Sequence, residues 1–560
     1  MKYVIVAGGV LSGLGKGITS ASLGLLLQSR GVKTTLVKCD MYLNIDAGTM
    51  NPVEHGEVFV TEDGLETDQD IGHYERFLGT SLSRVNYMTN GQIYQTVLNN
   101  ERALAYGGRC VEPYHSLPPE ITKRWDAAGR ATNADLAIIE LGGTVGEYEG
   151  LLFYEAVRRL RLKKPNDVVL ILVGYLPTPA SIGELKSKPL QQAVTSLNSL
   201  GLHPDFIVAR AEKKIDTKRK EKISLASGVP IAKIIANPDV DSIYEIPLIL
   251  QDQKMAEMVA EKLDLKLRRH DLAAWKEMLY KTQRAKRKVR IGLVGKYQKT
   301  GDYTLEDSYV CVVESLKHAS WKLGVAPELV WIDAEGLEKK SGDGGEKILT
   351  LLDGIIIPQG WGSRGSEGKI KAIKYARENK VPFLGLCYGM QMAVIEYARN
   401  VAGLPHAVSE EINPRAKHKV IHIMPSQQKY LKKNQYGGTI RLGAWPCKLV
   451  PGSKLNAIYK DGKSSQNTEH LLPATISERH RHRYEFNNSY RSRLEKAGMK
   501  VSGVSPDGKL VEAIEISDHP FFVGTQFHPE YQSRPLSPHP IFVEFVKAAL
   551  HSSNRPSSSL

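Results

Sequence analysis

The chain has 560 residues, 42% of them hydrophobic and 24% charged, the balance of a soluble globular enzyme and enough length for two to four domains. No apolar run approaches the length of a bilayer span, and five scattered cysteines (Cys39, Cys110, Cys311, Cys387, Cys447) with no CxxC pair argue against a disulfide framework or a structural zinc site and fit a reducing cytoplasm. The net charge of +14 is dispersed, so it suits several polyanionic small ligands better than nucleic acid, and neither nucleic acid nor membrane is an expected partner.

In chain order, Met1-Lys2-Tyr3-Val4-Ile5-Val6 passes straight into a strand rather than a signal-peptide pattern. Residues 3–6, 35–38, 136–140, 168–173 and 206–209 read as buried parallel strands separated by amphipathic stretches, which predicts an α/β layer fold. The basic clusters Lys213-Lys214 and Lys218-Arg219-Lys220 read as solvated faces. Residues 268–288, dense in Arg and Lys and without glycine, predict an interdomain helix with a basic end. A second α/β unit starts at Val289-Arg290-Ile291-Gly292-Leu293-Val294-Gly295 and runs to about residue 550, and a Ser-rich tail, 551–560, is expected to be disordered. The expectation is therefore two doubly wound parallel-sheet domains, 1–267 and 289–550.

After the first strand comes Gly8-Gly9-Val10-Leu11-Ser12-Gly13-Leu14-Gly15-Lys16-Gly17, which opens a helix. Glycines there let backbone N–H groups converge on phosphate at a helix N-terminus, and Lys16 adds a point charge. The spacing is one residue longer than a strict Walker A motif, and Gly17 replaces the Ser or Thr that would ligate magnesium. Acidic side chains elsewhere must then hold the metal. Asp70, in Asp68-Gln69-Asp70-Ile71-Gly72-His73-Tyr74-Glu75-Arg76-Phe77, and Glu140, ending a strand, are the candidates. Taken singly, each acid is more often a surface or capping group; the glycine loop gives the pair its meaning.

In the second unit, Gly385-Leu386-Cys387-Tyr388-Gly389-Met390-Gln391 follows the apolar run Val381-Pro382-Phe383-Leu384 and precedes a helix-like stretch. A strand that turns sharply into a helix presents one residue at the turn, facing the positive end of the helix dipole. Gln526-Phe527-His528-Pro529-Glu530 supplies an imidazole to act as base and a carboxylate to orient it. An isolated cysteine is more often a buried structural thiol, and a lone histidine an ordinary one; the elbow and the His-Pro-Glu together point to acyl transfer. The pattern resembles class I glutamine amidotransferase domains, which cut glutamine through a thioester and release ammonia.

Further blocks widen the resemblance. Leu14-Gly15-Lys16-Gly17, Asn51-Pro52, His55-Gly56-Glu57-Val58-Phe59-Val60, the 68–77 block, Leu141-Gly142-Gly143-Thr144-Val145-Gly146, Gly183-Glu184-Leu185-Lys186-Ser187-Lys188-Pro189, Asp239-Val240-Asp241-Ser242-Ile243-Tyr244 and Glu478-Arg479-His480-Arg481-His482-Arg483-Tyr484-Glu485 are similar to the CTP synthase family over roughly 1–548. That resemblance implies a P-loop-type synthetase domain followed by the amidotransferase domain. It implies ATP, UTP and glutamine as substrates, Mg2+ as cofactor, GTP as activator, feedback by CTP, and a cytoplasmic homotetramer. By the same resemblance, Gly13, Leu14, Gly15, Lys16, Gly17 and Ile18 cradle ATP with Lys38 and Asp70, Asp239 and Val240 contact its adenine, and Asp70 and Glu140 hold the metal. Ser12, Glu147, Tyr148, Glu149, Lys186, Ser187, Lys188, Pro189, Leu190, Gln191 and Lys222 match pyrimidine-nucleotide contacts. Gly360 and Tyr388 match oxyanion donors, Gly389, Met390, Gln391, Glu411 and Arg483 match glutamine contacts, and Cys387, His528 and Glu530 form the triad. His55 and Val58 match the lining of an ammonia passage, and Trp361 and Arg441 lie in segments tied to the GTP response.

The chain departs from the family in three places. Gln359-Gly360-Trp361-Gly362 stands where Gly-Gly-Phe-Gly is usual, which strains Gln359 if the position needs positive φ. Residues 107–125 match only loosely, with Glu112 and His115 as counterparts of a Gln and a His, and Ala226 replaces an aromatic near the inhibitor's base. Two other readings remain: a cobyric-acid-type amidating synthase, which the 142–146, 186–188 and 479–485 blocks oppose, and a silent assembly protein, which the intact triad and Lys16 oppose.

Overall fold

The computed structural model describes residues 1–552 apart from 10, 12, 182, 270, 298, 301, 302, 305, 340–345, 434 and 464–474. Contacts divide it into two units, Met1–Ala47 with Asp70–Ala273 and Gly48–Gln69 with Ala274–Leu560.

The first unit is built on seven parallel strands: β1 (Lys2–Gly8), β2 (Thr34–Asp40), β3 (Tyr87–Thr89), β4 (Leu136–Leu141), β5 (Val168–Tyr175), β6 (Phe206–Ala211) and β7 (Ile234–Pro238). Their order is β3-β2-β4-β1-β5-β6-β7. β1 and β4 are buried nearly end to end, as near-continuous Val/Ile/Leu runs in a doubly covered parallel sheet must be. Successive connections move outward from β1 on one side and then, after β4, on the other. That reversal leaves a crevice at the strand C-termini, where α/β sheets bind ligands. The helix Pro113–Ala131 covers one face through Leu117, Ile121, Trp125 and Ala128, spaced as one helical stripe. Within the loosely matching 107–125 segment, Leu117, Pro118, Ile121 and Trp125 are buried, while 107–110 and 112–115 are exposed, with Glu112 Oε2 and His115 Nε2 3.5 Å apart at the helix start.

The main sheet of the second unit has nine strands: β8 (Lys288–Gly295), β9 (Ala326–Asp333), β10 (Gly354–Ile357), β11 (Phe383–Leu386), β12 (Arg441–Leu449), β13 (Thr475–His482), β14 (Met499–Val504), β15 (Val511–Ile516) and β16 (Phe522–Thr525), ordered β9-β8-β10-β11-β16-β15-β14-β12-β13. The first five are mutually parallel, as expected; the last four are added antiparallel, so this sheet is mixed. Strand periodicity sorts its side chains onto two faces. Ile355 and Ile357 join one core with Ile373 and Met390, while Ile356 joins another with Leu316 and Phe545.

The basic connecting helix is shorter than 268–288, spanning Ala273–Gln283, because Lys288 already pairs with Ala326 in the β8–β9 ladder. The final helix runs Pro540–Ser552, so 551 and 552 are helical, and the rest of the expected tail lies outside the described residues. Among the described residues no disulfide joins the cysteines, and no described helix is long and apolar enough to cross a membrane.

Candidate active sites

In the first unit, β1 leads through the glycine loop into helix α1 (Lys16–Ser29). Gly13 and Gly15 take φ of 70° and 75°, a left-handed turn that an L side chain would resist. Lys16 is 7% exposed and donates to the Gly143 carbonyl at 2.7 Å. Burial pulls its ammonium below the ordinary lysine range, against the pull of Glu140 and Asp70. Sheet register sets Lys38 beside Glu140 on adjacent strands. Lys38 ion-pairs with Asp70, with Glu140 at 3.3 Å and with Asp40 at 3.6 Å. Burial would raise Asp70, but the Lys38 charge holds it low; burial and the neighbouring Asp70 push Glu140 up, and the Tyr74 hydroxyl donates to Glu140.

The missing Walker hydroxyl now has a physical account. A Cβ at Gly17 would lie 2.3 Å from Asp70 Oδ1 and 3.3 Å from Glu140 Oε2. The two carboxylates occupy the space a Ser or Thr hydroxyl would fill. Among the described residues no cluster of three or more His, Cys, Asp or Glu forms a self-sufficient metal cage. Two hard carboxylates at a phosphate loop, leaving positions for phosphate oxygens and water, are what Mg2+ takes on a nucleotide.

The remaining nucleotide candidates spread along the same sheet edge. Ile18 is half-buried in α1 and Leu14 buried. Asp239 follows β7 beside Val240 and accepts from Arg210 Nε at 3.1 Å, and Arg210 also donates to Gly13 O at 3.3 Å. Sequence reading missed Arg210; the signal was a lone charge at the C-terminal end of an apolar strand. Glu147, Tyr148 and Glu149 are exposed, with Glu147 accepting from Thr144 Oγ1 at 2.8 Å. Ser12 lies outside the described residues.

Lys186, Ser187, Lys188, Gln191 and Lys222 line a cavity of about 330 Å³, joined by Lys218 and Arg219. The 218–220 cluster, expected to be a plain solvated face, therefore also builds a cationic pocket, because Lys218 and Lys222 lie one helical turn apart on Thr217–Ser227. Pro189 lies in the first turn of helix α2 (Lys188–Ser199), and Leu190 turns into the core over Gly174 rather than toward the pocket. Ala226 is exposed on the helix that carries Lys222.

In the second unit, β11 ends directly at Cys387, whose φ of 52° and ψ of −98° put it outside the ordinary allowed regions. The next residue starts helix α3 (Tyr388–Asn400). A Cβ at Gly389 would stand 2.0 Å from Ile357 O, so only glycine lets the helix pack this close to β10. Cys387 is 5% exposed; its Sγ lies 3.5 Å from Gln526 Nε2 and 3.8 Å from Arg481 O. His528 Nδ1 donates to Glu530 Oε1 at 2.7 Å, and both residues are buried. His528 Nε2 is buried and has no hydrogen-bond partner among the described residues, which leaves it to the sulfur. Burial alone would lower this imidazole, yet Glu530 and then Cys387 push it up to about 10. The ring of Tyr531 stacks on it at 4.9 Å.

Gly360 and its neighbours form a loop whose carbonyls are fastened from behind. Lys369 Nζ donates to Pro358 O at 3.0 Å, Lys296 Nζ to the Trp361 and Gly362 carbonyls, and Tyr388 Oη to Gly362 O at 2.6 Å. Of the loop's own N–H groups, Trp361 donates to Tyr297 Oη at 3.2 Å. Gln359 is not among the residues with positive φ, so the expected strain is absent; Gly362, at φ 73°, makes the turn.

A cavity of about 270 Å³ is lined by Trp361, Glu411, Arg481, Arg483 and Tyr484 among others. Glu411 accepts from Gly362 N–H at 2.8 Å, and burial raises its carboxyl. Arg483 Nη2 donates to Tyr436 O and Thr439 Oγ1, while its Nη1 is buried with no partner among the described residues. A carboxylate is the natural complement to that nitrogen. Gln391 donates to Tyr484 O at 3.0 Å and Gln526 Oε1 at 3.2 Å. Met390 packs into the core against Gly524, so its side chain faces away from the cavity. Arg441 is held by Glu512 in a buried two-pronged pair, at 2.8 and 3.0 Å. Val58 is buried and its carbonyl accepts from Tyr531 Oη, whereas His55 is exposed.

A family model described as CTP synthase N-terminus matches residues 2–265, and one described as class-I glutamine amidotransferase matches residues 304–548. A CTP synthase of Caldanaerobacter subterraneus subsp. tengcongensis is 48% identical across 98% of this chain and 98% of its own. One from Methanopyrus kandleri is 46% identical across 98% of this chain and 99% of its own. A solved Trypanosoma brucei CTPS glutaminase domain with bound acivicin is 37% identical, covering 47% of this chain and 94% of that one, with a TM-score of 0.41.

Proposed function

The chain belongs to the CTP synthase family and makes CTP from UTP with nitrogen from glutamine; we propose the following division of that work among its residues. The observation that carries the reading of the nitrogen half is Cys387 held at a strained elbow beside a buried His528 whose Nε2 has no other partner. His528 Nε2 takes the thiol proton, the sulfur attacks the side-chain amide carbon of glutamine, and the oxyanion accepts from the N–H groups of Gly360 and Tyr388. His528 returns the proton to the departing ammonia, and water then hydrolyses the thioester to glutamate. Glu530 keeps the imidazole oriented and stabilises its charge. Arg483 takes the carboxylate of glutamine and Glu411 its ammonium, with Gln391, Gly389 and Met390 shaping the adjoining turn.

In the synthetase half, the N–H groups of residues 13–18 and Lys16 cradle the ATP phosphates. Asp70 and Glu140 hold Mg2+, which when bound neutralises phosphate charge. Lys38 is placed to follow the transferring phosphoryl group as ATP phosphorylates O4 of UTP. Ammonia then attacks C4, phosphate leaves with the O4 oxygen, and CTP remains. Lys186, Lys188 and Lys222, with Lys218 and Arg219, clamp the pyrimidine nucleotide's triphosphate as point charges; Glu147, Tyr148 and Glu149 border it, and Asp239, Val240 and Arg210 border the adenine. His55 and Val58 stand on the ammonia route. GTP activates and CTP inhibits, as in the family at large, and the working form is a cytoplasmic homotetramer.

The test is to incubate the protein with UTP, ATP and Mg2+ and either glutamine or ammonium, then measure CTP. CTP from both nitrogen sources is expected. No CTP from either source contradicts the reading.

A further inference from the structure

The segment Gly48–Gln69 packs wholly within the second unit and touches both halves of the glutamine-cleaving machinery. On the triad side, Val58 O accepts from Tyr531 Oη at 3.0 Å, and the Phe59 ring meets Tyr531 edge-on at 5.1 Å. Tyr531 in turn stacks on His528. Arg479 donates to Val60 O at 3.0 Å, while its own carbonyl accepts the His528 N–H at 2.8 Å.

On the oxyanion side the contact is a single residue, Glu57, which is 4% exposed. Its Oε2 accepts the Cys311 N–H at 2.6 Å, in the first turn of the helix Val310–Lys322, and its own N–H donates to Asp307 O at 2.9 Å. The carboxylate is thereby pinned in position and favoured by the helix N-terminus. Its other oxygen, Oε1, accepts from Gln359 Nε2 at 2.5 Å. Gln359 immediately precedes Gly360. A charge-assisted bond of this kind is short and directional, and it restrains the peptide that leads into the oxyanion donor. The lysines behind the loop fasten residues 358, 361 and 362, and among the described residues Glu57 is the side chain that anchors Gln359.

We propose that Glu57 and Gln359 are positioning residues for glutamine cleavage: the buried carboxylate, fixed by the Cys311 helix start, holds the Gln359 amide and so aims the Gly360 N–H at the developing oxyanion. This rests on the assignment of Gly360 as an oxyanion donor made above. Neither side chain touches glutamine. A misaimed donor is felt in the transition state far more than in the bound substrate, so the loss belongs in kcat rather than in KM.

The experiment compares glutamine-driven with ammonium-driven CTP formation in the same preparation, for wild type, Gln359→Glu, and the exchanged pair Glu57→Gln/Gln359→Glu. Gln359→Glu sets two carboxylates against each other and is expected to lower the glutamine kcat about 10- to 100-fold relative to the ammonium rate, with KM for glutamine within about twofold. The exchanged pair restores a donor and an acceptor with their roles reversed, and leaves the residue-57 amide oxygen free to accept from Cys311; it is expected to recover at least about tenfold. An unchanged kcat in the single variant, or an exchanged pair no better than the single one, overturns the proposal. If Gln359→Glu loses the ammonium rate as well, Gln359→Met, which deletes the bond without adding charge, is read instead: a selective tenfold loss supports the proposal and an unchanged kcat overturns it. A wild type that makes CTP from ammonium but not glutamine would instead contradict the glutamine-cleavage reading itself.

Discussion

The loop at Gly13–Gly17 and the elbow at Gly385–Gly389 are each a strand end turning into a helix, yet they are completed differently. The elbow is finished by the protein: Cys387, His528 and Glu530 are buried, His528 is bonded to Glu530, and they stand against a loop whose carbonyls are tied back by Lys296 and Lys369. The phosphate loop instead presents opposed charges, Lys38 among the three carboxylates Asp70, Glu140 and Asp40, and the same unit holds a pocket rich in lysine. Covalent chemistry needs reacting atoms fixed to within a fraction of an ångström. Phosphoryl transfer draws its geometry from the nucleotides and the ion, and the protein supplies a frame and compensating charge. The two sites should therefore fail differently under substitution.

Among substitutions that leave the nucleophile in place, the largest effect is expected at Gly17. Gly17→Ala forces a methyl onto the Asp70 carboxylate and should lower CTP formation by at least about 100-fold with either nitrogen source. Glutamine hydrolysis assayed alone should survive; its loss as well would break the contrast. At the other site, Arg483→Met removes the buried donor proposed above to hold the glutamine carboxylate. A charged hydrogen bond is worth about 1.5–3 kcal/mol, so the glutamine kcat/KM should fall by roughly 10- to 150-fold, and the ammonium-driven rate should hold.

Smaller effects test stability rather than rate. Leu190→Ala opens a hole above Gly174 in the first unit's core and should cost about 2–5 kcal/mol in a denaturant titration. A ligand-facing Leu190 would cost far less and would weaken UTP binding instead. Last is a pH signature of Glu530. The folded-state pKa of His528 is raised to about 10, so its protonation contributes stability that is fully present below the ordinary histidine value and lost as pH climbs toward 10. Glu530→Gln removes that contribution. Thermal denaturation should separate the variant from wild type most at pH 6 and bring the two together near pH 10.

Much of this was legible in the sequence because it is local. Gly-x-Cys-x-Gly after an apolar run and His-Pro-Glu are each complete within a few residues, and their chemistry needs little else. The missing hydroxyl at Gly17 turned attention to carboxylates from one position, and Asp70 and Glu140 do lie beside it. What stayed hidden depends on which distant residue arrives. Arg210 reaches Gly13 across 197 positions, and no local pattern encodes that. The 218–222 basic turn was visible as charge, but whether a lysine faces water or a pocket is decided by the neighbouring 184–191 loop. Gln359 was expected to be strained on the premise of positive φ; the backbone assigns that turn to Gly362. The packing of Gly48–Gln69 into the second unit could not be read from its place in the chain.

The most direct test of the division of labour is Cys387→Ala, assayed for CTP with glutamine and with ammonium in parallel. The glutamine reaction should fall to background, a loss of at least about a thousandfold, while the ammonium rate stays near wild type. Loss of both rates in a folded variant, or survival of the glutamine rate, would contradict the account.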